Sequence, residues 1–262
     1  MQEVRQVVAE ETVRGRERLT RERVLRAAVA VVDREGLAAL SMRRVADELG
    51  VEAMALYRYT PSKDDLLDGM VETLFLDAEE PLTRADEVTA GAGRVTAGAD
   101  GAAAEEAGVI AWREGLEQQA LAIYRMALAH PRVVPLVATR PLSVPFARRP
   151  RAVLRCHERV LALLRGSGMD DERALTLYRR FLSWVLGYIV IELRQTVDAP
   201  DETDPAFRLG LHRLPPAEFP QLRELGPALA QSGGERQLLA GLAALLTAPD
   251  GDHGQKVDHR ID

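Results

Sequence analysis

Apolar residues recur at three- and four-residue spacing along most of the chain, and segments that alternate apolar with polar are scarce. That period predicts helices, so the expected fold class is all-α. A first helix starts after Thr20, a residue suited to capping, and stops at Gly36, with Leu25, Ala28, Val29 and Val32 as its inward stripe. A second starts after Ser41, stops at Gly50 and turns Val45, Ala46 and Leu49 inward; a third covers roughly Glu52 to Tyr59. "PSKDDLL" then puts Ser62 and Asp65 at capping-box spacing, and a fourth helix runs from Lys63 to about Ala78. Helical periodicity resumes from Trp112 to Ala129, then over Arg151–Arg165, Asp171–Thr196, Pro220–Gln231 and Glu235–Thr247.

The pattern fails between Glu79 and Gly108, which are rich in Ala, Gly, Thr and acid and poor in large apolar residues. Such a stretch buries too little surface to offset the entropy of ordering it, and the expectation is a flexible linker or insertion. The chain then divides into an N-terminal extension (1–18), a helical head (19–78), the insertion (79–109), a helical body (110–248) and a polar tail (249–262).

Charge sharpens that division. The 262 residues carry a net −6, yet Arg14 to Lys63 hold eleven Lys and Arg against seven Asp and Glu, leaving the remainder at −10. A basic head on an acidic body can bring one end to phosphate and keep the other away from it. The single cysteine, Cys156, cannot form an internal disulfide, and the N-terminal residues lack the apolar run of a signal peptide, which suits a cytoplasmic protein. The longest apolar stretch, "FLSWVLGYIVI" at Phe181–Ile191, is too short to span a bilayer by itself, so no membrane is expected.

Two helices joined at a glycine, the second short and followed by Tyr, Arg and Lys, make a helix-turn-helix pattern. The stretch "LTRERVLRAAVAVVDREGLAALSMRRVADELGVEAMALYRYTPSKDDLLDGMVE" resembles the DNA-binding domain of the TetR family of bacterial transcriptional regulators, over Leu19 to about Glu72. Farther on, the "HP" at His130–Pro131, the "TRP" at Thr139–Pro141 and the "LG" at Leu186–Gly187 resemble the tetracycline-repressor branch. The resemblance implies an N-terminal three-helix helix-turn-helix domain on a C-terminal ligand-binding and dimerisation domain. It implies double-stranded operator DNA, a small organic effector and a second copy of the chain as partners. Arg43, between Met42 and Arg44, takes the position of a base reader; Ala53, Met54, Ala55 and Tyr57 take the outward positions of the recognition helix; Arg58, Tyr59 and Lys63 match phosphate-holding positions. Alanines at 53 and 55 can touch a thymine methyl but carry no hydrogen-bond code, so Arg43 is left as the main hydrogen-bonding reader. A head that docks a protein partner instead of DNA is the alternative reading.

In the tetracycline repressors a histidine three residues before the "TRP" helps hold the drug's metal ion. Here that position is Leu136, which cannot ligate a metal, so neither a metal nor a cofactor is expected. The candidate ligand-binding residues are Tyr124, Tyr178, Phe181, Trp184 and Tyr188, with Gln118, Thr139 and Arg140 as polar contributors around Leu136. The helix Asp171–Thr196 is apolar nearly all round, with Ser183 and Gly187 spaced for a close helix approach, so it is expected to face its own body on one side and a partner subunit on the other. Catalysis finds no support: the five histidines are scattered, and Cys156 and His157 are expected on different sides of their helix.

Overall fold

The structure is a computed structural model that describes residues 18–93, 101–194, 203–204, 207, 210–229 and 231–247, with side chains described for all of them except 84–93 and 101–110. The described residues form helices and no strand: α1 (Arg21–Glu35), α2 (Met42–Leu49), α3 (Ala53–Leu56), α4 (Lys63–Gly93), α5 (Gly101–Ala129), α6 (Val134–Thr139), α7 (Arg151–Gly166), α8 (Asp171–Arg194), α9 (Pro220–Glu224), α10 (Gly226–Leu229) and α11 (Gly234–Thr247). The expected extension up to residue 17 and the expected tail from 249 lie outside the described residues.

The starts of the first helices follow from capping. Thr20 accepts a hydrogen bond from the Arg23 N–H at 3.2 Å, and Ser41 accepts from the Arg44 N–H at 3.1 Å. Each satisfies a donor that the first turn would otherwise leave unpaired. Ser62 accepts from the Asp65 N–H at 3.0 Å and donates its own proton to the Asp65 carboxylate at 2.7 Å. Gly50 ends α2 in the left-handed conformation, with φ 64°, and the Val51 N–H reaches back to the Ala46 carbonyl. A side chain there would meet the steric penalty of positive φ, so this glycine allows α3 to begin three residues later.

Val24, Leu25, Ala28, Val45, Ala46 and Leu56 are buried against one another and against Leu66, Met70 and Leu74 of α4. α4 is therefore shared: its first half closes the three-helix head, and farther along it packs on α5, α6 and α7. α8 lies against α5, α6, α7 and α11, and the buried side chains of head and body form one continuous cluster.

Three expectations change. α4 runs on to Gly93 and α5 begins at Gly101, so the segment expected to be a flexible insertion is helical over 79–93 and 101–109. Lack of large apolar residues bars a segment from building its own core, but elongating a helix already nucleated in a core needs only good helix formers such as Ala, Glu and Arg. Leu82, beyond Pro81, is itself buried. The span 220–231 is broken at Leu225 into two short helices. Finally, α8 is long and apolar enough to cross a membrane by length and composition, contrary to the reading of its apolar run alone, although one side of it packs against four other helices.

Candidate nucleic-acid interface and ligand cavity

Arg43, Arg58 and Lys63 are exposed and make no hydrogen bond or ion pair among the described residues. Met54 is 76% exposed and Tyr57 42% exposed, on a helix whose inward residue, Leu56, is fully buried. Ala53 and Tyr59 are half-buried against the core, as is Met42, and Ala55 is half-buried as well. The third helix is shorter than expected, since only 53–56 are helical; Tyr59 and Thr60 then turn back to hydrogen-bond the Leu56 carbonyl. Thr60 is fully buried, a structural residue that the sequence pattern did not single out. An exposed apolar methionine and a tyrosine beside free cations suit a helix pressed into a groove, with charge left at the groove edge for phosphate.

Arg44 is placed differently from its neighbour. Its guanidinium lies 2.5 Å from Glu35 and 3.2 Å from Glu48, and Arg34 lies 2.6 Å from Glu48. The hydrogen bonds from these arginines hold both carboxyls below the ordinary glutamate range. This network bridges α1 to α2, so Arg44 ties the two helices together, whereas Arg43 makes no ion pair among the described residues.

Between α4, α5, α6, α7 and α8 lies a cavity of about 300 Å³. Its walls are mainly apolar, with Phe75, Ile123, Val137, Pro141, Val153 and Phe181 among them, and its polar side chains include Arg149, Cys156, His157 and Ser183. Of the ligand candidates drawn from sequence, Phe181 alone lines it. Tyr178 touches it indirectly, with its hydroxyl 3.0 Å from His157 Nδ1. Leu136 is buried one residue away from the lining residue Val137.

The other candidates serve the scaffold. Trp184 donates its indole N–H to the Leu238 carbonyl at 2.9 Å, and Tyr188 donates to the Gly234 carbonyl at 2.8 Å, so both bind α8 to α11. Trp184 rests directly on Gly241, where a Cβ would come within 2.0 Å of the ring. Tyr124 donates to Glu192 at 3.0 Å, and burial together with that carboxylate pushes its phenol up to about 12. Thr139 is exposed and donates to the Pro135 carbonyl. Gln118 is exposed and borders a different cavity, of about 430 Å³, beside Pro81.

Arg140 also leaves the pocket. It reaches Asp68 at 2.6 Å and Asp64 at 3.0 Å, both on the first turns of α4, directly after the head's third helix. A second tie lies just ahead of α6, where His130 Nδ1 lies 2.7 Å from Asp33 of α1 and Arg132 donates to the Arg34 carbonyl.

Cys156 and His157 correct another expectation, since both line the same cavity. Adjacent helical residues are offset by about 100°, and a cavity this wide spans that angle. The signal was present in the sequence: Val153, Cys156, His157, Val160 and Leu164 follow the buried stripe of α7. Burial pushes the Cys156 thiol up to about 12, which leaves it protonated and inert at neutral pH. Burial, helped by the nearby Arg149 charge, pushes His157 down to about 4. His157 is therefore neutral, and since Arg149 Nη1, 3.3 Å away, can only donate, Nε2 is its acceptor and Nδ1 carries the proton. Among the described residues no group of three or more His, Cys, Asp or Glu side chains is arranged to hold a metal ion.

Residues 24–70 match the family model of bacterial regulatory proteins of the tetR family, and residues 105–247 match the tetracyclin repressor-like C-terminal domain. The chain belongs to the TetR family. It is 32% identical over 240 residues to the HTH-type transcriptional repressor DrrR1 of Streptomyces coeruleorubidus, covering 90% of this chain and 73% of that protein. It is 29% identical over 236 residues to an HTH-type transcriptional regulator of Saccharopolyspora erythraea, covering 86% and 85%. Among solved structures, the TetR family protein ActR of Streptomyces coelicolor in complex with actinorhodin is similar at 26% identity and TM-score 0.61, covering 90% of this chain and 99% of that one. This TetR protein is accordingly a transcriptional regulator with a DNA-binding head.

Proposed function

We propose that this TetR-family regulator is a cytoplasmic repressor that binds a palindromic operator as a homodimer and leaves it when a small organic molecule fills the cavity between α4 and α8. The observation that carries the reading is the pairing of two features through α4. One end of that helix follows the exposed Arg43, Met54, Tyr57 and Arg58, and its flank at Phe75 walls the cavity. A ligand that prefers one setting of the body shifts the population of head positions through the Arg140–Asp68 and His130–Asp33 ties. Family relatives are consistent with this: DrrR1 is described as a repressor, and ActR has been solved with actinorhodin bound.

Dimerisation is supported by the outer side of α8 and α11. Ile191 is 76% exposed and Val190 lies exposed beside it, while Ser183 of α8 and Ala240, Ala243 and Ala244 of α11 are small and exposed. Small side chains let helices approach closely, and two such pairs make a four-helix interface.

Selection of bound sequences from a random DNA pool tests the reading, and inverted repeats with half-sites about one helical turn or more apart are expected. On the selected site, Arg43→Ala should cost about 1–3 kcal/mol and relax one base position. Lys63→Ala should weaken all DNA alike and lower the salt slope by about one. Recovery of asymmetric single sites, or equal losses by both variants on specific and random DNA, would overturn it.

A further inference from the structure

The cavity wall carries a fixed positive charge with no acid opposite it. Arg149 lines the cavity, and the lining includes no Asp or Glu. Glu72 of α4 accepts the backbone N–H of Ala152 at 2.9 Å. The Arg149 fork is nonetheless held firmly. Its guanidinium lies 4.5 Å from the centre of the Phe146 ring, and Nη1 donates to His157 Nε2 at 3.3 Å. His157 is in turn anchored by Tyr178 and packs against Phe146 with ring centres 5.2 Å apart. Arg149 Nε is out of contact with solvent and has no hydrogen-bond partner among the described residues.

These facts belong together. Nη1 is engaged by His157 and Nε has no surface open to a water-sized molecule, so Nη2, which has no hydrogen-bond partner among the described residues, is the nitrogen left to a ligand. An arginine N–H donates to a carboxylate in a charge-assisted hydrogen bond, shorter and stronger than a neutral one. Around that charge the wall is aliphatic and aromatic, with Phe75, Val153 and Phe181 among its residues.

We infer that the ligand of this cavity is an organic anion, a flat apolar body bearing one carboxylate or comparably acidic group that Arg149 binds while His157 and Tyr178 keep the fork in place. The inference rests on the reading of the cavity as the effector site and adds the charge of the effector to it. It does not depend on where the protein binds DNA. It also gives Leu136 a context, since a direct cation on the wall removes the need for a metal bridge to an anionic ligand.

Calorimetric titration of the full-length protein with 2-naphthoate and with its neutral isostere 2-naphthamide tests the idea. A charge-assisted pair out of solvent should favour the acid by about tenfold or more. Arg149→Gln should remove the preference and leave amide binding in place, which also reports that the variant is folded. If Arg149→Gln loses the amide too, Arg149→Lys decides, because a retained charge must retain a preference for the acid. Equal affinity of acid and amide, no binding of either, a preference that survives in Arg149→Gln, or one absent from a folded Arg149→Lys would overturn the inference. Operator binding by the same ligand-free protein is measured separately. A protein that prefers the acid yet ignores DNA would keep the anion site and refute the repressor reading.

Discussion

Replacing Arg140 by alanine removes the tie between the cavity's α6 edge and the start of α4. Its guanidinium side chain is only 19% exposed and meets two carboxylates of unequal burial: Asp68 at 2.6 Å, 36% exposed, and Asp64 at 3.0 Å, 77% exposed. The hydrogen bond that Arg140 donates to Asp68 is the largest influence holding its charge in place. A hydrogen bond to a charged group is worth about 1.5–3 kcal/mol. Partial exposure of Asp68 reduces that to about 1–2 kcal/mol, while an exposed pair such as Asp64 contributes about 0.2–1 kcal/mol. Arg140→Ala should therefore destabilise the protein by about 2 kcal/mol. Urea unfolding at fixed protomer concentration of wild type, Arg140→Ala, Asp68→Ala and the double variant gives the pair's own coupling, expected at about 1–2 kcal/mol. The same cycle with Asp64→Ala should return about half a kcal/mol or less. A coupling with Asp68 no larger than that with Asp64 would refute the assignment of burial as the deciding factor. It would also remove the main physical link between cavity and head on that side of the molecule.

Gly241→Ala places a methyl 2.0 Å from the Trp184 ring, so melting temperature should fall by the equivalent of about 1–3 kcal/mol, and Trp184→Phe in the same chain should recover part of it; an unchanged melting temperature in Gly241→Ala would show that α8 and α11 are not packed through this pair. His157 should make stability depend on pH. Its folded value is lowered from 6.5 to about 4, so the unfolded chain takes a proton over that window and the folded chain does not, and stability is lost as pH falls from 6.5 towards 4. Melting curves from pH 7.5 to 4.5 should therefore fall more steeply for the wild type than for His157→Gln, and parallel curves would contradict a buried neutral histidine.

The helical period, Thr20, Ser41 and Ser62 as caps and Gly50 as a stop were enough to lay out α1, α2 and the start of α4, because capping and apolar spacing are local properties of the backbone. The head's exposed end was legible for the same reason. On a short helix with one inward residue, Leu56, its neighbours Met54 and Tyr57 must face outward. Arg43 and Arg44 show where that ends. They are adjacent and chemically identical, and the approach of Glu35 from α1, with Glu48 one turn along α2, turns Arg44 into a structural ion pair while Arg43 makes none among the described residues. The aromatic residues of the body failed as a guide to the cavity for a related reason. Sequence marks Trp184, Tyr188 and Tyr124 as apolar with a polar tip, but whether that tip meets a ligand or a carbonyl of α11 depends on a helix some fifty residues away in the chain for Trp184. Residues 79–93 and 101–109 carried too little apolar surface to announce a helix, and their helical form comes from elongation of α4 and α5 out of a packed core. Local periodicity decided which segments are helices. The crossing of α4, α5, α6, α7 and α8 alone decided which of their side chains enclose a space and leave Arg149 charged inside it without an acid.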